Sequence, residues 1–267
     1  MPQGGTYGRL LPGSDMRHFD RFGPSESALA QFLYPFAWRD VVFLFDDFIG
    51  HDANLADHFI LATDAGATAF DGNAGAGGRI QGSSGATDNE AVAILTRADW
   101  FGDNQCGMEI RWQPDTLTDY YFETGFTDPL TDDTLPTVTD VDTPAIGNGA
   151  TDVALIHLDT DQTLKTEAFV TDGSTANMNT TATALGTREP TAATYLATRI
   201  QIVTNAAQGM HFDADYVLLE SAQHGDATAS QIEGGVALNA RFFGGTRSTT
   251  PTIYTLDYFA AWQNRRV

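Results

Sequence analysis

Aspartate is the most abundant ionisable residue of the chain, and three pairs of it fall at alternate positions: Asp140/Asp142, Asp159/Asp161 and Asp213/Asp215. Calcium asks for about six to eight oxygen ligands, several of them from one loop. None of the pairs extends into the spacing of an EF-hand. The loop Asp159-Thr-Asp-Gln-Thr comes nearest, so Asp159 and Asp161 are the metal candidates, with solvated turn aspartate as the simpler role. Transition-metal chemistry has less to work with. The six histidines (His18, His51, His58, His157, His211, His224) form no HxH or HxxxH pair, and Cys106 is alone, which excludes an intramolecular disulfide and a thiolate zinc site.

Catalytic patterns are missing in the same way. No Gly-x-Ser-x-Gly elbow occurs, and the eight glutamates lie too far apart for the Glu-x-Asp-x-x-Glu stretch of sandwich-fold glycosidases. The cluster Asp71-Gly-Asn-Ala-Gly-Ala-Gly-Gly has neither GxGxxG nor GxxxxGK[ST] spacing and leads into a strand pattern rather than a helix, so it reads as a turn and not a phosphate cradle. A non-enzymatic protein without a cofactor is the expectation. Aromatic side chains remain as ligand-binding candidates: Trp100, Tyr120, Tyr121 and Trp262 could stack on a glycan, although large aromatics in strands more often fill a core.

The elements that would position these residues are strands. Acids are 27 Asp to 8 Glu, and 34 Thr residues add β-branched side chains, both unfavourable to helices. Short apolar runs separated by turn chemistry start at Val41-Val-Phe-Leu-Phe-Asp-Asp-Phe and recur to Ile253–Trp262, about twelve to fourteen strands by the pattern. In Glu109-Ile-Arg-Trp the apolar and charged residues alternate, as in an antiparallel strand with one buried face. Residues 128–150 are rich in Asp, Thr, Pro and Gly and read as a surface loop. Met210–Asp213 and Asp215–Glu220 are close enough for a hairpin. The expected fold is all-β, a two-sheet antiparallel jelly-roll sandwich over residues 41–267.

Residues 1–40 differ. Four arginines balance four acids there, so the whole net charge of −21 belongs to residues 41–267. The segment is rich in aromatics (Tyr7, Phe19, Phe22, Phe32, Phe36, Trp38), is broken by Gly and Pro, and has one short helix pattern beginning at Ser25. Such an extended arm should bury its rings on its own domain or on another subunit. Four of them would supply on the order of 6–12 kcal/mol before ordering costs. The negative charge opposes binding to nucleic acid or anionic membrane. No apolar run is long enough to span a bilayer, and Met1-Pro-Gln-Gly-Gly lacks the regions of a signal peptide, so Sec-type export is not expected.

Three stretches carry a resemblance. Phe45-Asp-Asp-Phe-Ile, Tyr121-Phe-Glu-Thr-Gly-Phe-Thr-Asp and Leu256-Asp-Tyr-Phe-Ala-Ala-Trp are similar to the opening, central and closing strands of tailed-virus structural proteins with a concanavalin-like (LamG-like) jelly roll. The resemblance covers about residues 41–267 and rests on core and turn residues, so it transfers no catalytic group. It implies a virion part made in the host cytoplasm and displayed on the outer surface of head or tail. That part would be a capsid decoration, turret or tail-associated subunit, with the major capsid protein or other virion subunits as partners of the arm. Symmetric particles favour closed homo-oligomers, trimers above all. The alternative is a carbohydrate-binding adhesion module with a host glycan as partner. Abundant Asp and a single lysine, Lys165, also suit a high-salt milieu, which would place the virus in a halophile.

Overall fold

The computed structural model describes residues 41–48, 55–72, 78–129, 134, 136–140, 145–146, 149–161, 167–172, 183–184, 192–203, 206–212, 218–224 and 235–264. The arm aromatics Tyr7, Phe19, Phe22, Phe32, Phe36 and Trp38, and the helix expected at Ser25, lie outside the described residues. Two antiparallel sheets account for nearly all of the rest. The first runs β16 (Leu218–His224), β15 (Ala206–Phe212), β14 (Leu196–Val203), β7 (Gly107–Pro114), β18 (Ile253–Asn264), β4 (Ile80–Ser83), β3 (Thr68–Gly72), with β1 (Val41–Asp46) also paired to β18. The second runs β13 (Thr183–Ala184), β12 (Glu167–Asp172), β11 (Asp152–Asp159), β8 (Tyr120–Thr127), β17 (Ala237–Thr246), β5 (Ala91–Leu95), β2 (Ile60–Thr63), with β6 (Trp100–Phe101) also on β17. A separate ribbon pairs β9 (Val138–Asp140) with β10 (Ala145–Ile146), and a single turn of helix, α1, spans Leu55–His58. The strands exceed the sequence pattern in number because several hold only two to four residues, too short to register as periodicity.

Period-2 alternation decides what each sheet buries. Met108, Ile110 and Trp112 of β7 face Tyr120, Phe122 and Phe126 of β8 across the interior, with Ile156 and Leu158 of β11 and Phe242 of β17 completing the layer. Trp112 is the hub: its ring centroid lies 4.3 Å from that of Phe122 and 5.4 Å from that of Phe242, and its indole N–H donates to Thr198 Oγ1 at 2.9 Å. That bond satisfies the one polar atom the ring would otherwise bury unpaired. Cys106 is fully buried and burial pushes its thiol well up, so it packs as a small apolar group.

The three motif stretches have structural reasons. The opening strand pairs antiparallel with the closing one, from Val41 opposite Asn264 to Asp46 opposite Phe259. Asp46 Oδ1 then accepts the N–H of Phe48, which holds that residue at a φ of 55° with its ring buried against Phe59. In the central strand Gly125 has a φ of 152°, and a Cβ there would lie 2.2 Å from the carbonyl oxygen of Ala154 on the neighbouring β11. Only glycine fits that site. The hairpin expected near residue 213 is β15 with β16.

One expectation fails. The 128–150 segment is not simply a surface loop, because Pro136, Thr137 and Val138 within it are buried. Its weak apolar content signals exposure, but what holds it down is polar, as the site geometry shows.

Candidate functional site

The residues of β8 that face away from the core include Tyr121, Glu123 and Gly125, and each sheet neighbour adds its own outward residues. From β11 come His157 and Asp159, and from β17 come Arg241, Phe243 and Gly245. Glu123, His157 and Arg241 stand side by side and are all fully buried. The two oxygens of Glu123 accept the N–H groups of Thr137, at 2.9 Å, and of Val138, at 2.8 Å. His157 Nδ1 lies 3.5 Å from the same carboxylate and an Arg241 nitrogen 3.9 Å from it. Arg241 donates to Thr137 Oγ1 at 2.9 Å, and its guanidinium rests 4.5 Å from the ring centroid of Phe243. Burial alone would raise the Glu123 carboxyl. The His157 hydrogen bond, the Arg241 charge and the Val138 N–H together outweigh it and bring the carboxyl below its ordinary value.

At one end of the same sheet the loops after β4, β7, β11 and β17 meet in a polar rim around Arg247. Its guanidinium donates to both oxygens of Asp159, at 3.0 Å for Nε, and to Asn89 Oδ1, while stacking 4.2 Å from the ring centroid of Tyr121. Gly245 makes the stack feasible, since a Cβ there would meet the Tyr121 ring at 2.2 Å. Asn89 and Asp119 adopt left-handed backbone, at φ 70° and 53°, a conformation their short polar side chains tolerate. The Asp119 carbonyl accepts the Arg247 N–H at 2.6 Å. Asp161 is exposed, and its carboxyl is pushed up by partial desolvation and by the neighbouring Asp159, Asp88 and Asp119, against the pull of Arg247.

The outer face of the first sheet has its own buried acid. Glu109 on β7 accepts the Tyr258 hydroxyl at 2.6 Å and lies 3.9 Å from Arg199 Nε, and Arg199 in turn sits 5.4 Å from the ring centroid of Trp262. Burial dominates here and raises the carboxyl, with Arg199 and Tyr258 only partly offsetting it. Nearby, Arg111 bridges the Tyr195 ring and the Asp257 carboxylate.

The structure separates the residues singled out from sequence. Trp100, Tyr120, Tyr121 and Trp262 retain 4%, 1%, 0% and 4% of their exposure, so none offers a ring face to a glycan. Trp100 is instead fixed by its N–H to Thr96 Oγ1, and Tyr121 serves as the platform for Arg247. Asp159 and Asp161 are neighbours, yet Asp159 is engaged through both oxygens by Arg247. Among the described residues no group of three His, Cys, Asp or Glu is placed to hold a metal ion. A carboxylate already neutralised by a guanidinium is a poor calcium ligand. The groups that do converge, Glu123 with His157 and Arg241, and Arg247 with Asn89, come from strands and loops far apart in the chain. For Glu123, His157 and Arg241 the one sequence signal is an ionisable residue at an alternate position of a largely apolar strand; the loop residues Asn89 and Arg247 carry none.

No protein-family profile matches the chain, and no curated protein does. Solved structures do. A Shewanella oneidensis MR-1 protein of unknown function superposes at a TM-score of 0.56 with 12% identity, over 97% of this chain and 98% of that one. The Lotus tetragonolobus seed lectin also gives 0.56, at 7% identity over 85% of this chain and 100% of the lectin. The exoplasmic/lumenal domain of VIP36, in a form bound to Ca2+ and Man3GlcNAc, gives 0.52 at 8% identity, over 84% of this chain and 89% of that one. The fold is therefore the concanavalin-like jelly roll of the legume lectins.

Proposed function

We propose that the chain is a non-enzymatic carbohydrate-binding sandwich that meets its glycan at the loop rim around Arg247. The observation that carries this reading is the shared fold. Several structures that superpose on most of the chain are lectins, one of them described with galactose and VIP36 with a mannose-containing glycan. The rim adds suitable chemistry. Sugar hydroxyls both donate and accept, and the rim sets the exposed Asn89 and Asp161 beside a guanidinium whose geometry is already locked. A glycan array probed with the full chain, with and without calcium, tests it. Selective retention of one glycan class, weakened by Asp161→Ala, is the expected result, and an array without retained glycans overturns it.

A second reading places the same sandwich on a virion, as a subunit that docks through residues 1–40 onto the major capsid protein or another virion component. The charge division favours it: a neutral aromatic segment joined to a body that carries the entire −21 suits one part for burial and one for solvent. The two readings are compatible, since an adhesion module can be displayed on a particle. Particles assembled with a chain lacking residues 1–40 test the docking, and normal incorporation of that chain removes its support.

A further inference from the structure

We propose that Glu123, Arg241 and His157 form a polyol-binding floor on the outer face of the second sheet, which Thr137 and Val138 of the same chain occupy as an internal ligand. The inference rests on the glycan-binding reading and extends it from the rim to the centre of the sheet.

The hydrogen-bond pattern is the first support. Each oxygen of the Glu123 carboxylate accepts one backbone N–H, of Thr137 or of Val138, and Arg241 donates to the hydroxyl oxygen of Thr137. Two adjacent hydroxyls of a sugar ring present the same set: two O–H donors for a carboxylate, and an oxygen that accepts from an arginine. The attachment of the segment is the second. β9 pairs with β10 in a ribbon that belongs to neither sheet, so among the described residues no strand ladder ties it to the sandwich. Side-chain bonds from the floor anchor it, and a segment held that way opens more cheaply than a strand within a sheet. The floor itself is rigid. Glu123 lies on β8, between β11 and β17, and Arg241 is braced on the Phe243 ring.

A closed latch lowers the apparent affinity of the floor by the fraction of time it is open. The test uses the full chain and a panel of free galactose, glucose, mannose and N-acetylglucosamine. In the wild type, a sugar that binds should speed hydrogen exchange at the Thr137 and Val138 amides. The variant Thr137→Val/Val138→Pro removes the acceptor and one donor of the internal ligand and should hold that sugar about tenfold more tightly. Adding Glu123→Gln to this variant should abolish the gain. Melting curves verify that the variants are folded. If the double variant does not fold, Thr137→Val alone serves, together with the wild-type exchange measurement. A sugar that binds the wild type while both amides exchange at an unchanged rate, and that the unlatched chain holds no more tightly, overturns the floor and leaves glycan binding at the rim intact. No binding of any sugar to the wild type or to the folded unlatched chain overturns both.

Discussion

Glu109 and Glu123 make a controlled comparison within one molecule. Each sits on an inner strand, points away from the core, is fully buried and lies 3.9 Å from an arginine nitrogen. They nevertheless move in opposite directions, Glu109 up and Glu123 down. An arginine is common to both, so the difference lies in the hydrogen bonds: Glu109 has the Tyr258 hydroxyl, whereas Glu123 has two backbone N–H groups and His157. A buried carboxylate stays charged when donors saturate both oxygens, and a single nearby cation does not achieve this.

Removing each acid should show the contrast most strongly. Glu123→Ala leaves Arg241 buried without its counter-charge and two N–H groups without an acceptor, so it should cost about 3–5 kcal/mol in denaturant unfolding. Glu109→Gln keeps an acceptor for Tyr258 and removes a charge that burial disfavours, although the buried Arg199 loses its attraction, so its cost should be the smaller, about 1–2 kcal/mol. Equal losses for the two would dissolve the comparison. Gly125→Ala tests the backbone beneath Glu123: the new Cβ meets the Ala154 carbonyl, and about 2–3 kcal/mol should be lost through strain between β8 and β11.

The pH dependence sharpens the same contrast, because the two acids contribute with opposite sign. The stabilisation from Glu123 is present above the unfolded carboxyl value near 4.5 and is lost as pH falls through its lower folded value. Glu109 stabilises fully below the unfolded value and loses this contribution as pH rises through its raised folded value. Unfolding free energies between about pH 3 and pH 8 should therefore show a Glu109→Gln variant gaining on the wild type as pH rises, and a Glu123→Gln variant gaining on it only towards the acid end. At the rim the effect should be smallest. Asp161 is exposed, so Asp161→Asn should shift stability by no more than about 0.5 kcal/mol while still altering glycan retention.

How much of this was legible in the sequence depended on the range of the interaction. Alternation in Glu109-Ile-Arg-Trp correctly placed Ile110 and Trp112 inside, because strand periodicity is local. The sandwich was likewise readable from the strand runs and turn residues, whereas the steric need for glycine at 125 appears only once β11 lies beside β8. The fate of the other face was not. Whether an outward residue meets water depends on what crosses it, and Pro136–Val138 cross Glu123 for the sake of backbone donors that composition does not reveal. Tyr121 shows the same limit: its ring was a candidate for sugar stacking, but Arg247, distant in sequence, takes that face.

The pairing of β18 has a consequence for the order of assembly. Residues 253–264 bond to β7 on one side and to β4 and β1 on the other, so the last described strand occupies an inner place in the first sheet. On the ribosome β1 emerges some two hundred residues before the partner it needs, and the second sheet, whose strands end at Thr246, can close first. Until residue 264 is free, the core side of the first sheet lacks Tyr254, Leu256 and Phe259, and its apolar face stays open. The stretch of synthesis between Thr246 and residue 264 therefore leaves an apolar face open to aggregation, and a single strand, β18, closes it.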